Sequence, residues 1–534
     1  MIPGPMIPSD TEPHPYPLRS RQQLLADAQA IWASGVRSVQ GHRLIQNQLK
    51  LDRNTLILPD FDLELSLTDY RRIHVLGGGK AGRSMAVGLE QVLAPVAEQF
   101  GLTGSLNIPQ DSLPVTPDRP LTPPQDVTAF GVEAPGMADL RCELQFDPRR
   151  NPTRWIELDQ VRPAGENLAT ALAVRKTTEM LQAAQAQHEA DLCIVLLSGG
   201  GSALLSAPLP GLDWRVKNQV TQFLAGRAAS IGELNCVRTA LSQIKGGGLL
   251  RHCRAGRVIT LVISDVLGDP PETIASGPMT LPNSTVADQS RTAMDILARY
   301  DPDRSQIPAV VYQLLQQPDL RRSAARSSGQ SPNQMKLPLH DYCVLGNLAV
   351  AIDAAGVEAE KRGYSHVMHI QKPQSASPTA AAEGEHLAEL LTQMSSVPGP
   401  DCLITGGEPV VDLRTASADA KGGRNQELAL AALARWQQGP CPAVDSVVIA
   451  GGTDGEDGPT IAAGGILGSW QVSEVSTQEA ERALHAHDSH TCLANHGSLL
   501  VTGPTGTNVC DLRVNVVARI QPQPGRPAIQ GPVD

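Results

Sequence analysis

Six residues that follow a short apolar segment constrain this chain more than any other feature. The run is Gly77-Gly78-Gly79-Lys80-Ala81-Gly82, and the apolar segment before it covers 73–76. Glycines allow a backbone to approach an anion closely, and the start of a following helix directs unpaired N–H groups toward it. A lysine in the same turn adds a positive charge where a phosphate would lie. The sequence therefore predicts a phosphate-binding turn at the end of a strand.

Similar glycine-rich turns follow apolar segments further along the chain. Ser198-Gly199-Gly200-Gly201-Ser202 follows the run 191–197, Gly406-Gly407-Glu408 follows 402–405, and 451–455 follows 447–450. Fully apolar runs are typical of parallel strands that helices cover on both faces, and such sheets bind ligands beyond the carboxyl ends of their strands. We therefore expect an α/β protein of two α/β domains, with mostly parallel sheets covered by helices and the glycine loops at the binding edge.

Composition along the chain suggests where these domains begin and end. Residues 1–20 are polar and rich in proline, which predicts a disordered N-terminal arm. A helical pattern starts near Arg21, and the first α/β domain is expected over 21–330 with a proline-rich insert at 104–152. The polar stretch around 318–338 is the predicted boundary, and the second α/β domain is expected over 338–534.

The overall composition excludes several functional classes. The net charge is -11 and aromatic residues make up 3% of the chain, which argues against a nucleic-acid surface. The sequence contains no run of about 18 apolar residues, so we expect no membrane span. Nine cysteines without a Cys-x-x-Cys pair, and prolines where a signal peptide needs an apolar core, predict a cytoplasmic protein.

Each of the first two glycine loops, 77–82 and 198–202, also has a structural interpretation that involves no ligand. Gly77, Gly79 and Gly82 satisfy the dinucleotide pattern G-x-G-x-x-G, but no convincing ribose-binding acid follows near 97–103. A tight turn with an exposed lysine is the structural alternative. The loop 198–202 reads as a nest of N–H groups with two hydroxyls, or as a packing turn, and it lacks the G-x-S-x-G elbow of a serine hydrolase.

Two aspartates follow predicted strands in positions suited to phosphate chemistry. Asp265 comes after the buried strand 258–263, and Asp454 lies in the acidic loop 452–458. Such carboxylates hold Mg²⁺ or orient an attacking hydroxyl, and either residue could take either role. The alternative is that they cap helices or turns.

Three basic residues are candidates for binding anions. Arg424 begins a helix, where its charge opposes the helix dipole unless an anion binds there; a structural pair with Glu408 is the alternative. Arg238 and Lys245 lie seven residues apart on a helical pattern and share a face. They could clamp an anion or form a solvated basic surface.

Together these strings resemble the glycerate 2-kinase family, whose C-terminal part is the MOFRL domain. The resemblance covers about 73–512 in the same order. The matching strings are 77–82, 197–204, Asn235 with Arg238, 241–242, 244–248, 264–266 with 268–269, 274–278, 406–408, 423–427, 452–455 with 457–458, and 506–509. The resemblance implies ATP-dependent phosphorylation of D-glycerate, usually at the 2-hydroxyl, in a cleft between two α/β domains.

With the resemblance, each candidate residue is assigned a predicted role, and the roles of Asp265 and Asp454 stay interchangeable. The predicted catalytic residues are Lys80, Arg424 and Asp265, and the predicted Mg²⁺ ligand is Asp454. The predicted ATP-binding residues are Gly78, Gly79, Ser198, Gly199, Gly200, Gly201, Ser202 and Lys245, and the predicted substrate-binding residues are Arg238, Glu408 and Asn425. An NAD(P)H-dependent hydroxypyruvate reductase and a catalytically silent binding protein are the alternatives, and a homo-oligomer is left open.

Overall fold

The computed structural model describes residues 18–110, 144–147, 152–163, 168–317, 337–370, 378–413, 416 and 419–519. These residues form two six-stranded sheets with helices packed on them, and a separate three-stranded sheet. The strands are β1 (Lys50–Asp52), β2 (Thr55–Leu58), β3 (Leu63–Ser66), β4 (Ile73–Gly78), β5 (Thr103–Pro109), β6 (Ile156–Arg162), β7 (Leu192–Ser198), β8 (Arg257–Ile263), β9 (Leu339–Gly346), β10 (His366–Ile370), β11 (Cys402–Gly407), β12 (Ser446–Gly452), β13 (Gly464–Gly468), β14 (Leu499–Leu500) and β15 (Asp511–Val517).

Helices connect and cover these strands. They are α1 (Arg21–Ser38), α2 (Gly41–Gln48), α3 (Gly82–Leu93), α4 (Ala171–Gln185), α5 (Gly201–Leu204), α6 (Trp214–Ala225), α7 (Ile231–Ala240), α8 (Gly248–His252), α9 (Val286–Tyr300), α10 (Ala309–Leu315), α11 (Leu348–Lys361), α12 (Ala380–Ser396), α13 (Arg424–Gln438), α14 (Thr477–Ala486) and α15 (Ser489–Asn495). Among the described helices, none combines the length and apolar content needed to cross a bilayer. The predicted α/β class is confirmed.

The first sheet is parallel throughout, in the order β6-β5-β4-β7-β8-β9. Strands β7 and β8 are buried along almost their whole length, as their largely apolar sequences predict. The chain leaves β4 toward β5 on one side and later continues from β7 on the other. This reversal creates a crevice beyond the carboxyl ends of β4 and β7, the usual ligand site of doubly wound sheets. The loops 77–82 and 198–202 both start there.

The second sheet differs from the predicted, mostly parallel arrangement. Its order is β10-β11-β15-β12-β13-β14, and only β10 and β11 pair in parallel. The last strand of the described chain, β15, inserts antiparallel between β11 and β12. A strand that returns after several others can only be placed by tertiary pairing, which the local apolar pattern does not encode.

The predicted domain limits need three corrections. Strand β9, assigned above to the second domain, completes the first sheet by pairing with β8. The polar stretch around 318–338 thus falls within a long connection inside one sheet. Strand β5 occupies the start of the predicted insert 104–152, of which 111–143 and 148–151 lie outside the described residues.

The third correction concerns helix α1, which was assigned to the first domain but packs on the second sheet. Trp32 of α1 is fully buried there and donates its indole N–H to the Leu512 carbonyl at 3.0 Å. Arg19, in the predicted disordered arm, is buried and pairs with Asp401 at 3.2 Å. The rest of that arm, 1–17, lies outside the described residues. The chain therefore contributes a helix to the second sheet before it forms the strands of the first sheet.

The three-stranded sheet β1-β2-β3 is an antiparallel meander. Its apolar side chains alternate with exposed ones, and Leu56, Leu58 and Leu65 join the hydrophobic core under the first sheet. The meander thus extends that core rather than forming a domain of its own.

Candidate active site

The loop 77–82 is held against the loop 198–202 at the crevice of the first sheet. Gly79 has a φ of +148°, and a Cβ on it would lie 2.1 Å from the Ser198 Oγ. The Ala81 N–H donates to that Oγ at 3.0 Å, and the Lys80 N–H donates to the Gly199 carbonyl at 2.8 Å. Only glycine fits this close approach, so the two loops form one rigid unit. The buried Ser198 hydroxyl contributes to that unit by accepting the Ala81 N–H, so this hydroxyl is already engaged by the protein.

The Lys80 side chain crosses from the first sheet to a loop of the second. Its Nζ lies 2.7 Å from Asp454 Oδ2 and 3.1 Å from Glu456 Oε2. Burial disfavours the charged ammonium, but the two carboxylates outweigh that effect and raise the lysine pKa above its usual range. Lys80 is therefore cationic at neutral pH. The structural alternative, a tight turn with an exposed lysine, does not hold, because the Lys80 side chain is 26% exposed and paired.

Arg424 forms hydrogen bonds with two carboxylates at the second sheet. Its Nε and one Nη lie 2.7 and 2.9 Å from the two carboxylate oxygens of Asp511, and the other Nη lies 2.9 Å from Glu408 Oε1. The proposed structural pair with Glu408 is therefore present, but Asp511 is the closer, bidentate partner. A guanidinium has five N–H groups, so this arrangement leaves two for an anion. Asp511, the buried first residue of strand β15, was missed by the sequence reasoning.

The first turn of helix α13, which begins at Arg424, is held in place by hydrogen bonds to Asp457. Its carboxylate accepts the backbone N–H groups of Asn425 at 3.1 Å and Gln426 at 2.9 Å, and also both of their side-chain amides. Asn425 is fully buried by this contact. Its side chain points at Asp457 rather than into the cleft, so this geometry gives the predicted substrate-binding role of Asn425 no support.

Asp265 lies where the first sheet meets the second layer. Its Oδ2 accepts a hydrogen bond from the Asn508 side-chain amide at 3.2 Å, and a Cβ on Gly199 would lie 2.1 Å from the same oxygen. Burial, with the nearby Glu408 carboxylate, raises the pKa of Asp265 to about 6, although the Lys80 charge acts in the opposite direction. This value lies close to neutral, where a carboxylate is an effective proton acceptor.

The Lys80 and Arg424 clusters form one electrostatic unit. Asp454, the partner of Lys80, also stabilises the charge of Arg424, and Glu408, the partner of Arg424, acts on Asp265. The structure therefore brings together the three predicted catalytic residues, with Asp454 and Glu408 between them. Two cations and several carboxylates face one cleft between the two sheets.

The fit of a metal ion can be judged from the same carboxylates. Within the described ranges, no three His, Cys, Asp or Glu side chains are arranged to hold a metal by themselves. Mg²⁺ usually takes one or two protein carboxylates and completes its shell with phosphate oxygens and water. Asp454, for which a Mg²⁺-binding role stays a prediction, and the neighbouring Asp265 are carboxylates of this kind, so the cleft is compatible with Mg²⁺ that arrives with a nucleotide.

The remaining predicted residues separate into two places. Gly78 ends β4, while Gly200 lies against the Lys80 stem, which a Cβ on it would approach to 3.1 Å. Gly201 starts the one-turn helix α5. In contrast, Arg238 and Lys245 both contact the carbonyl of Ser202, at 3.3 and 2.8 Å. Arg238 was predicted to bind the same substrate as Glu408 and Asn425. It lies instead beside Lys245, in the part of the molecule built on the first sheet.

The structure also tests the argument against a dinucleotide. Strand β5, which would carry the ribose-binding acid, runs to Pro109 and is followed by Gln110. The end of this strand lies beyond the region near 97–103 where an acid was sought, and Asp111 is outside the described residues. The missing acid therefore no longer separates the two candidate reactions.

Family models match most of this chain. Residues 27–316 match a domain of unknown function, DUF4147, and residues 401–511 match the MOFRL family. A glycerate kinase of Homo sapiens is 32% identical, with 92% of this chain and 93% of the relative covered. The chain belongs to the glycerate kinase family. As a member of this family it is an enzyme of the kinase class.

Other relatives of this glycerate kinase family member carry two different names. A D-glycerate 2-kinase of Thermotoga maritima is 31% identical over 67% of this chain and 80% of the relative. A provisionally named hydroxypyruvate reductase of Agrobacterium vitis is 34% identical over 84% of this chain and 99% of the relative. The crystal structure of a Thermotoga maritima glycerate kinase superimposes with a TM-score of 0.66 at 27% identity, covering 92% of this chain and 99% of the other.

Proposed function

We propose that this chain transfers the γ-phosphoryl group of ATP to the 2-hydroxyl of D-glycerate, with Mg²⁺. One observation carries the proposal: Lys80 from the first sheet, Arg424 from the second layer and the Asp265 carboxyl share one cleft. Phosphoryl transfer needs positioning and charge neutralisation more than covalent chemistry, and this cleft offers both. The names of the relatives support glycerate as the substrate, and the 2-position follows the name of the Thermotoga relative.

In this proposal the cationic residues hold the reactants in line. Lys80 exchanges its contacts with Asp454 and Glu456 for the oxygens of the transferring phosphoryl group, and so neutralises the charge that spreads over them. Arg424 stays anchored to Asp511 and binds the glycerate carboxylate with its two open N–H groups. Mg²⁺, held by Asp454 together with phosphate oxygens, supplies further charge neutralisation when bound.

Asp265 is the proposed proton acceptor. The glycerate 2-hydroxyl oxygen forms the new bond to the γ-phosphorus, the bond to the bridging oxygen breaks and ADP leaves, while the hydroxyl proton passes to Asp265. A carboxyl with a pKa of about 6 is mostly ionised at neutral pH and can accept this proton. Asp454 is less suited to this role because it pairs directly with Lys80.

A coupled assay tests the reaction class. ADP release is followed with D-glycerate, ATP and Mg²⁺, and NADH oxidation with hydroxypyruvate is followed in parallel. The reductase is the second candidate, because the order of the first sheet is that of dinucleotide-binding folds and one relative carries that name. ADP release that depends on glycerate, without NADH oxidation, supports the kinase, and the reverse result refutes it.

The position of the new phosphate needs a direct measurement. Carbon-13 and phosphorus-31 NMR of the product distinguish 2-phosphoglycerate from 3-phosphoglycerate by their phosphorus–carbon couplings. L-Glycerate serves as the matched control substrate, since it differs only at the reacting carbon. A 3-phosphate product, or equal rates with the two enantiomers, would contradict the proposed contacts of Arg424 and Asp265.

A further inference from the structure

The loop 503–510, which leads into strand β15 of the second sheet, contacts Asp265 of the first sheet at two points. The Asn508 side-chain amide donates to Asp265 Oδ2 at 3.2 Å, and the Cys510 thiol donates to the Asp265 backbone carbonyl at 2.8 Å. The carboxylate and the backbone of one residue are thus both held from the opposite sheet. Asn508 belongs to the string 506–509 that the sequence singled out, and the proposed reaction has so far given it no role.

The glycine loop 198–202 closes around this amide and carboxylate. A Cβ on Gly199 would lie 2.1 Å from Asp265 Oδ2 and 2.3 Å from Asn508 Nδ2, so only glycine leaves room for both polar atoms. The Gly199 carbonyl in turn accepts the Lys80 N–H at 2.8 Å. The contact between Asn508 and Asp265 therefore lies directly against the turn that presents Lys80.

The backbone that carries Asn508 is fixed by its own hydrogen bonds. Thr453, which is fully buried, accepts the Val509 N–H at 2.9 Å and donates its hydroxyl to the Cys510 carbonyl at 2.7 Å. On the other side of Asn508, the Gly506 carbonyl accepts the Gly41 N–H at 3.2 Å. A donor on a backbone held on both sides does not have to be reoriented when the reaction occurs.

An amide at this position suits the control of a carboxylate. The terminal torsion of an aspartate side chain is broad, so an unattached carboxylate rotates easily. A hydrogen bond from a neutral donor to an ionised oxygen is charge-assisted, and it holds one oxygen in place. Because the asparagine NH₂ group only donates, it does not compete for the proton that the carboxylate is to receive.

We propose that Asn508 is a positioning residue for phosphoryl transfer, because its amide holds Asp265 Oδ2 and so leaves Oδ1 to accept the proton of the glycerate hydroxyl. Asn508 acts through Asp265 and contacts no reacting atom. This inference rests on the proposed function, since it takes Asp265 as the proton acceptor.

A double-mutant cycle in the full-length chain tests the role of Asn508, with ADP release as the assay. Asn508→Leu, which has nearly the same shape but no donor, should lower kcat at least tenfold and leave the KM values for ATP and glycerate within about twofold. The variant with both Asn508→Leu and Asp265→Asn should be no slower than Asp265→Asn alone, because the amide has no effect without its carboxylate.

Further variants separate positioning from a structural role. Asn508→Gln keeps an amide donor and should retain more of the kcat than Asn508→Leu. Asn54→Leu is the matched control, since Asn54 is equally half-buried but lies in the turn between β1 and β2, and its kcat should stay within about twofold. Urea unfolding checks that each variant is folded, and Asn508→Ala replaces Asn508→Leu in the cycle if the leucine is not accommodated.

Failure of this inference and failure of the proposed function give different results. An Asp265→Asn variant with unchanged kcat refutes the proton-acceptor role, and the inference about Asn508 falls with it. If Asp265→Asn is slow but Asn508→Leu is not, Asn508 does not position the acceptor, while the proposed reaction stands. Losses that multiply in the double variant, or equal losses in Asn508→Gln and Asn508→Leu, would likewise overturn the positioning role.

Discussion

Replacing Asp457 by alanine should damage both the stability of the chain and the placement of Arg424. The Asp457 carboxylate accepts two backbone N–H groups at the start of α13, from Asn425 and Gln426, and the side-chain amides of the same two residues. Losing such a cap costs about 0.5–2 kcal/mol. Each buried donor that stays unpaired costs about 1–3 kcal/mol more. Because the pocket can relax only in part, we expect the free energy of unfolding to fall by about 3–5 kcal/mol.

The effect on catalysis follows from position. Arg424 is the first residue of the helix that Asp457 caps, so fraying of its first turn should release the contact between Arg424 and Asp511. We expect kcat/KM for glycerate to fall at least tenfold, about 1.4 kcal/mol in transition-state binding. Urea unfolding, with the slope m checked for constancy, gives the stability, and the coupled ADP assay gives the activity.

A second capping residue provides the control for this prediction. Thr285 caps α9 with its Oγ1 at 3.1 Å from the Asp288 N–H, at an exposed position outside the cleft. Thr285→Ala should cost about 1 kcal/mol and leave kcat/KM within about twofold. If Asp457→Ala lowers stability as expected but leaves kcat/KM unchanged, the placement of Arg424 does not depend on the cap. If it lowers stability by less than about 1 kcal/mol, the hydrogen-bond argument itself is wrong.

Three further outcomes follow from the cleft. Lys80→Met should lower kcat by at least a factor of about 100, because the positive charge that neutralises the transferring phosphoryl group is lost. Lys176→Met, which removes a remote ion-paired lysine, should change kcat little, and steady-state kinetics compare the two variants. The kcat/KM should rise with pH to a plateau, with an apparent pKa of about 6, because Asp265 accepts the proton in its ionised form. Asp265→Asn should abolish this rise of kcat/KM with pH. Gly79→Ala should lower the urea midpoint, because the new Cβ would meet the Ser198 Oγ at 2.1 Å; an unchanged midpoint would show that the two loops can separate.

Local patterns in the sequence were enough to predict several parts of this molecule. The apolar runs of β7 and β8, the helix start near Arg21 and the glycine turn at 77–82 are all present, because each depends on neighbouring residues and their periodicity. Lys80, Arg424 and Asp265 were identified for the same reason. Each carries a charge directly after a predicted strand or at a predicted helix start, where a charge needs an explanation.

The partners of those charges could not be found in this way. Glu456 and Asn508 lie 376 and 243 residues along the chain from their partners Lys80 and Asp265, and Asp511 lies 87 residues from its partner Arg424. An aspartate at the start of a strand whose alternate residues are apolar, like Asp511, is the one local signal that could have been noticed.

The sequence by itself determined the apolar strands, the helix α1, the glycine turns and the chemical character of the cleft, since these follow from local backbone preferences and from which side chains carry charge. Only the tertiary structure decided that β9 completes the first sheet, that β15 enters the second sheet antiparallel and that α1 packs on that second sheet. These choices depend on the burial of apolar surface between segments far apart in the chain. The same long-range packing places Lys80 opposite Asp454, and with it the site itself.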